Sequence, residues 1–175
     1  IWVFGQSRSA ISSIISQYLG AKKLDQVKNL PAQAIVIIVA SSLLVLLISY
    51  PFATEIFQFY NASGIILDYC VEYYKIRIFG FPFSLFVFAV FGTFRGLQNT
   101  FYPMIIALVG ALLNIVLDIA LVYGIEGVIP AMNLSGAAYA SVIAQVIMAV
   151  IASLFFLLLD QIYKFLLDII LNINF

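Results

Sequence analysis

The sequence predicts an all-α transmembrane helix bundle, and three observations carry that expectation. Of its 175 residues, 65% are hydrophobic and only 9% are charged, whereas a soluble domain carries about 25% charged residues. Mean hydropathy is +1.15. The uncharged residues also form long runs: 26 from Asn29 to Thr54, 17 from Ile78 to Phe94, 22 from Gly96 to Leu117 and 33 from Gly127 to Leu159. A spanning helix needs about 20 apolar residues. Strands of a membrane barrel alternate apolar and polar over about 10 residues, and these runs are solidly apolar.

Each element follows from these runs and the residues that end them. Spans are expected near 31–53, 73–94, 101–123 and 135–159, with 1–19 as the final part of a fifth. Gly20, Lys22 and Lys23 close the first piece, as glycine and basic residues close helices. Pro31 and Pro103 fall near helix starts, where a missing N–H costs little. Pro51 and Pro82 fall inside or at the ends of apolar runs and are expected to kink helices, which membrane bundles tolerate. In the tail 160–175, Ile162, Phe165, Leu166, Ile169, Ile170 and Ile173 fall on one helical face, with Gln161, Lys164, Asp168 and Asn172 on the other. That pattern fits an amphipathic helix in the membrane interface, or equally a linker to a further span. The chain begins Ile1-Trp2-Val3, already inside an apolar run and with no charged segment before it. The expectation is a fragment of a longer protein, cut inside a helix, and not a signal peptide.

Basic residues give an orientation. Lys22, Lys23, Lys28, Arg95 and Lys164 fall in loops on one side, expected to be cytoplasmic. Lys75 and Arg77 stand at a helix start on the other, with Glu55, Asp68, Glu72 and Glu126.

The same composition narrows the chemistry. Eight basic and eight acidic residues cancel, so there is no basic footprint for nucleic acid. There is no histidine and one cysteine, Cys70. A histidine triad, a zinc site, a haem ligand and a disulfide framework are therefore excluded. No paired acids or activated nucleophile stand at catalytic spacing, so an enzyme, a cofactor and a protein-held metal are not expected.

Polar residues inside the spans then carry the functional reading. An ionisable residue deep in a span costs roughly 2.5–3.5 kcal/mol on insertion scales. Asp118 is such a residue, and Gly110, Asn114 and Asp118 share one helical stripe. The stripe suggests a protonatable or cation-binding carboxylate facing a polar cavity; a structural carboxylate paired with a neighbouring helix is the alternative. In the last span Gly136, Ala140 and Ala144 form a small-residue stripe for close helix approach, and Ala137, Ser141 and Gln145 run beside it. Gln6, Ser9, Ser13 and Ser16 share a polar face, with Arg8 offset from it. The Phe-rich run from Phe79 to Phe94 could touch an apolar or cationic substrate, or simply pack the bundle.

These residues carry a family resemblance. Arg95-Gly96-Leu97-Gln98-Asn99-Thr100-Phe101-Tyr102-Pro103-Met104 resembles the RG-x-x-(D/N)-T-x-x-P-M turn of the multidrug and toxic compound extrusion (MATE) family. Leu113 to Gly124, Gly136 to Ser141, Ser16 to Lys22 and Tyr74 to Pro82 resemble further motifs of it in the same order, closest to the DinF-like branch. The resemblance covers residues 1–159 and implies part of the N-terminal lobe, helices 2 to 6, of a twelve-helix transporter. It implies that Asn114, Asp118 and Ser141 belong to an ion- or proton-coupling site, with Ser141 where the family has Thr and Na⁺ at Asp118 and Asn114 as one option. The tail 160–175 departs from the basic linker that the family would have there.

The function so implied is a secondary antiporter exporting organic, often cationic compounds in exchange for H⁺ or Na⁺. It would sit as a multi-pass protein in a bacterial inner membrane, in contact with lipids, and as a monomer at full length. A lipid-linked sugar flippase of the same superfamily ranks second, because such flippases carry more basic residues in the cavity and only Arg8 is available here. A non-transporting membrane scaffold is the rival from another class.

Overall fold

A computed structural model describes the backbone of residues 2–173. The side chains of 1–3, 24–25, 159–160 and 162–175 lie outside the described residues, and with them the two faces expected of the tail. The described chain is helical throughout, apart from an isolated bridge between Ile125 and Ile129 in one loop. The helices are α1 (Trp2–Gly5), α2 (Ser7–Gly20), α3 (Leu24–Ser49), α4 (Ala53–Phe59) and α5 (Gly64–Arg77). A 3₁₀ turn (Ile78–Gly80) follows, then α6 (Phe81–Gly96), α7 (Phe101–Val122) and α8 (Asn133–Ile173). Four segments are long and apolar enough to cross a membrane: Gln26–Ser49, Gly64–Gly96, Phe101–Val122 and Asn133–Leu158.

Helix ends differ from the ends of the apolar runs, and the differences have one cause. A charged residue ends the part that lipid can cover, but it does not end a helix. Hence α3 begins at Leu24, which places Pro31 inside the helix and not at its start. Likewise α5 begins at Gly64, so Asp68, Glu72, Lys75 and Arg77 are all helical. Pro51 stands in the turn between α3 and α4, and Pro82 in the first turn of α6, directly after the 3₁₀ turn. Both therefore sit at breaks between elements and kink no helix interior. The last helix runs on without a break to Ile173.

Three helices end in the same way, and glycine has no part in it. Lys22, Asn61 and Gln98 take left-handed conformations, with φ of 58°, 62° and 62°. At each the chain closes with a pair of backbone bonds. Lys22 N–H donates to Leu19 O and Lys23 N–H to Tyr18 O; Gln98 N–H donates to Arg95 O and Asn99 N–H to Phe94 O. This is the Schellman arrangement, which satisfies the last carbonyls of a helix.

Glycines are used instead where helices cross. A Cβ on Gly92 would stand 2.7 Å from the Arg8 carbonyl oxygen, and one on Gly96 would stand 2.6 Å from Ile15 Cβ. The two are four residues apart, so both face α2 and let the backbones approach. The Ser16 hydroxyl donates across this crossing to the Gly96 carbonyl at 3.2 Å. Helix α6 is the centre of the bundle: Leu85, Val87, Ala89, Val90 and Phe94 are buried in it. One core layer joins Val90 and Phe94 to Ile106 of α7 and Ala152 of α8. A second joins Ala89 to Ile11 and Ile15 of α2 and Val27 of α3. The outer faces of α3 and α7, including Ile37, Leu44, Leu47, Leu112, Val116 and Ile119, are exposed, as apolar faces meeting lipid are.

Candidate functional site: a polar cavity inside the bundle

Five helices build a cavity of about 350 Å³ within the bundle. Helix α7 contributes Gly110 and Asn114, and α8 contributes Ser141, Ala144, Gln145 and Met148. Helix α6 supplies Val87, Phe88 and Phe91; α2 supplies Arg8, and the end of α5 supplies Arg77. The periodicity of each helix explains the convergence. Gly110 and Asn114 are one turn apart, as are Ser141 and Gln145, so each pair presents one face inward.

The 3₁₀ turn positions the basic side. Arg77 Nη1 donates to Gln145 Oε1 at 2.7 Å. Gly80 makes room for this pair: a Cβ there would collide with Gln145 Oε1 and stand 3.1 Å from Arg77 Nη1. Tightening the chain into a 3₁₀ turn directly after Arg77 sets the glycine beneath the pair. On the other wall the Arg8 guanidinium lies 5.7 Å from the centroid of the Phe88 ring, a cation–π distance. Gly110 opens space for Met148, whose sulfur occupies the volume a Cβ would need.

Two polar atoms are left over. Arg8 Nε and Asn114 Nδ2 are buried without a hydrogen-bond partner. Both are donors, and both residues line the same cavity. A buried donor without a partner costs about 1–3 kcal/mol, so these atoms mark where a polar ligand atom or a water would be held.

The sequence-derived residues are distributed as follows. Asn114 and Ser141 stand on the walls of this one cavity. Asp118 lies one turn farther along α7, half-buried and outside the described lining. Among the described residues no three acids or cysteines gather to hold a metal ion. On the face Gln6, Ser9, Ser13 and Ser16, the residues are exposed, and it is the offset Arg8 that enters the cavity. The Phe run divides: Phe81, Phe91 and Phe94 are buried, Phe79 is exposed, and Phe88 lines the cavity. Arg77 is the residue that sequence reasoning missed. The sequence pattern puts it at a helix start, whereas it ends α5 and turns inward beside Gln145, so two arginines line the cavity and not one. The signal was Gly80, a small residue three positions after a basic one and two before a proline.

A second, more apolar cavity of about 480 Å³ adjoins the first and shares Arg77, Phe88 and Gln145 with it. Its other walls include Phe4, Val45, Phe81 and Leu85.

Comparison with known proteins adds a family to this geometry. A family model described as MatE matches residues 2–120. DNA damage-inducible protein F of Escherichia coli (strain K12) is 30% identical over 138 residues, 79% of this chain and 29% of that protein. Multidrug export protein MepA of Staphylococcus aureus (strain NCTC 8325 / PS 47) is 29% identical over 143 residues, 82% of this chain and 31% of that protein. The chain thus spans about three tenths of the length of these curated relatives. Among solved structures, a multidrug resistance MATE family transporter of the MOP superfamily in its inward-facing conformation superposes with a TM-score of 0.79. The identity is 21%, covering 87% of this chain and 33% of that one, a likeness of fold.

Proposed function

The chain belongs to the MATE family, in its DinF-like branch, and from that premise we propose that it forms part of the N-terminal lobe of an exporter of organic compounds driven by H⁺ or Na⁺. The observation that supports this reading most is the cavity itself. Asn114 of α7 and Ser141 of α8 meet on its walls inside a bundle of membrane-spanning helices, and polar groups at that depth are costly unless they serve a pathway. The protein would act as a monomer in a bacterial inner membrane, with the coupling step in this lobe.

In this mechanism Asp118 is the coupling acid. Taking up a proton or Na⁺ removes a net charge from α7, one turn from Asn114, while substrate occupies the cavity. If ion and substrate favour different lobe conformations, each binding event shifts the population that the other needs, and alternating access follows around a midplane site. Family membership and the named multidrug export relative support an exporter over a sugar flippase. The count of cavity arginines no longer separates the two, because Arg77 joins Arg8.

The test is Asp118→Asn in the full-length protein, assayed for ion-driven drug efflux in everted vesicles. Efflux should be lost while expression and membrane insertion stay normal. Wild-type efflux by the mutant would overturn the coupling role; no efflux from the wild type either would favour the scaffold.

A further inference from the structure

We propose that the cavity between α2, α5, α7 and α8 holds the head group of an amphipathic organic anion, a carboxylate or sulfonate carried on an apolar body. The proposal rests on the transporter reading and narrows its substrate class, away from the often cationic compounds that the family resemblance implies.

Charge is the first support. Arg8 and Arg77 both line the cavity, and no described lining residue is acidic. A guanidinium does not lose its proton in a protein, so both charges persist at every working pH. Both arginines are half-buried, and the arginine fork matches the paired oxygens of a carboxylate or sulfonate. A cation in the same space would meet two like charges.

Hydrogen bonding is the second support, and it is independent of net charge. The leftover groups are donors: Arg8 Nε and Asn114 Nδ2 have no partner. The carbonyl of Gln145 is already engaged by Arg77. A ligand with acceptor oxygens completes this set, whereas an ammonium, which brings only donors, does not.

The adjoining cavity supplies the apolar half. It shares Arg77, Phe88 and Gln145 with the polar one, and its remaining wall is largely aromatic and aliphatic. Phe4 and Phe81 meet there edge to face, with centroids 5.5 Å apart. A head group between the arginines would place an attached apolar body against these rings.

The experiment uses the full-length protein in phosphatidylcholine nanodiscs, with binding read by isothermal titration calorimetry. The probes are taurocholate, an amphipathic sulfonate, and tetraphenylphosphonium, a lipophilic cation. Taurocholate should bind the wild type. Arg8→Gln should weaken it at least about 10-fold, as loss of a charge-assisted bond does. Arg8→Lys should retain part of the affinity, and tetraphenylphosphonium should lose nothing in Arg8→Gln. A wild type that binds tetraphenylphosphonium but not taurocholate overturns the proposal, a result that needs no folded mutant. Undiminished taurocholate binding by monodisperse Arg8→Gln and Arg77→Gln proteins overturns it too. Phosphatidylglycerol added to the discs tests a lipid phosphodiester against that anion: competition with taurocholate would overturn the carboxylate or sulfonate assignment in favour of a lipid head group, and its absence would support it. Taurocholate binding without any ion-driven efflux from vesicles would sink the transporter reading and leave the anion site standing.

Discussion

At the scale of single residues, Gly80 has the largest consequence for its size. The hydrogen bond from Arg77 to Gln145 exists because nothing projects from position 80. A methyl group there meets the end of a flexible side chain, so Gln145 would swing away and Arg77 would lose its partner. Gly80→Ala is therefore expected to lower the stability of the full-length protein by about 1–3 kcal/mol, the range for a hydrogen bond to a charged group. The backbone should be unaffected, because Gly80 has an ordinary helical φ of −75°. Thermal unfolding of the purified protein checks this, and in a Gln145→Ala background Gly80→Ala should cost little more, because the bond is already gone. Helical periodicity puts Asn114 and Ser141 on polar stripes, the family resemblance groups them, and both line the one cavity. Arg77 was not legible in the sequence, because its inward turn depends on the space that Gly80 leaves and on where α8 runs.

At the scale of elements, the crossing of α2 and α6 is a close approach that glycine makes possible. Gly92 and Gly96 present a flat strip to Arg8, Ile11 and Ile15. In lipid there is no hydrophobic drive to bring helices together, so van der Waals contact between backbones has to do it. Gly96→Leu is expected to push the helices apart and cost about 1–3 kcal/mol by overpacking, because the neighbour is a Cβ of a buried isoleucine and cannot rotate out of the way. Gly20, also helical, has nothing within 4 Å of its virtual Cβ. Gly20→Ala should thus be neutral or stabilise by up to about 1 kcal/mol through helix propensity. Melting temperatures of the two variants, measured side by side, distinguish a packing glycine from an idle one. The small-residue strip of α8 follows the same physics: Ala140 and Ala144 are buried, and a Cβ on Gly136 would stand 2.5 Å from the Leu121 carbonyl oxygen of α7. The α8 strip could be read from its spacing. The α6 strip hid inside a run dominated by phenylalanine.

At the scale of the whole molecule, the helices sort the loops onto two ends. The bond from Ser16 to Gly96 holds the ends of α2 and α6 side by side, and Tyr102 meets Phe155 with ring centroids 5.1 Å apart. The loop with Lys22 and Lys23, the turn after Arg95 and the far part of α8 therefore lie at one end. At the opposite end the Ser135 hydroxyl donates to Glu72, and Phe57 packs against Tyr74, which gathers α4 with Glu55 and the loop with Glu126. Basic loops stay in the cytoplasm because translocating them is costly. In a full-length protein with Cys70 replaced, a cysteine at position 126 should react with an impermeant maleimide added outside, and one at position 23 should not. The reverse pattern would invert the orientation.

Composition and the long uncharged runs are enough to give the class of this molecule and much of its helical content. Long, solidly apolar runs have one stable solution in lipid, a helix that satisfies its own backbone, and the 3.6-residue period then tells which residues share a stripe. It also placed Asn114 and Ser141 on polar stripes of their helices. Only the tertiary structure decided where the helices end, as at Leu24 and Gly64, since an apolar run reports what lipid can cover and not where hydrogen bonding stops. It alone decided that Gly92 and Gly96 serve a crossing, that Arg77 joins Arg8 in one cavity, and that Asp118 stands a turn away from it. Those outcomes depend on the rotation and separation of one helix against the next. They are set by volumes meeting across elements far apart in the chain, which no local pattern contains.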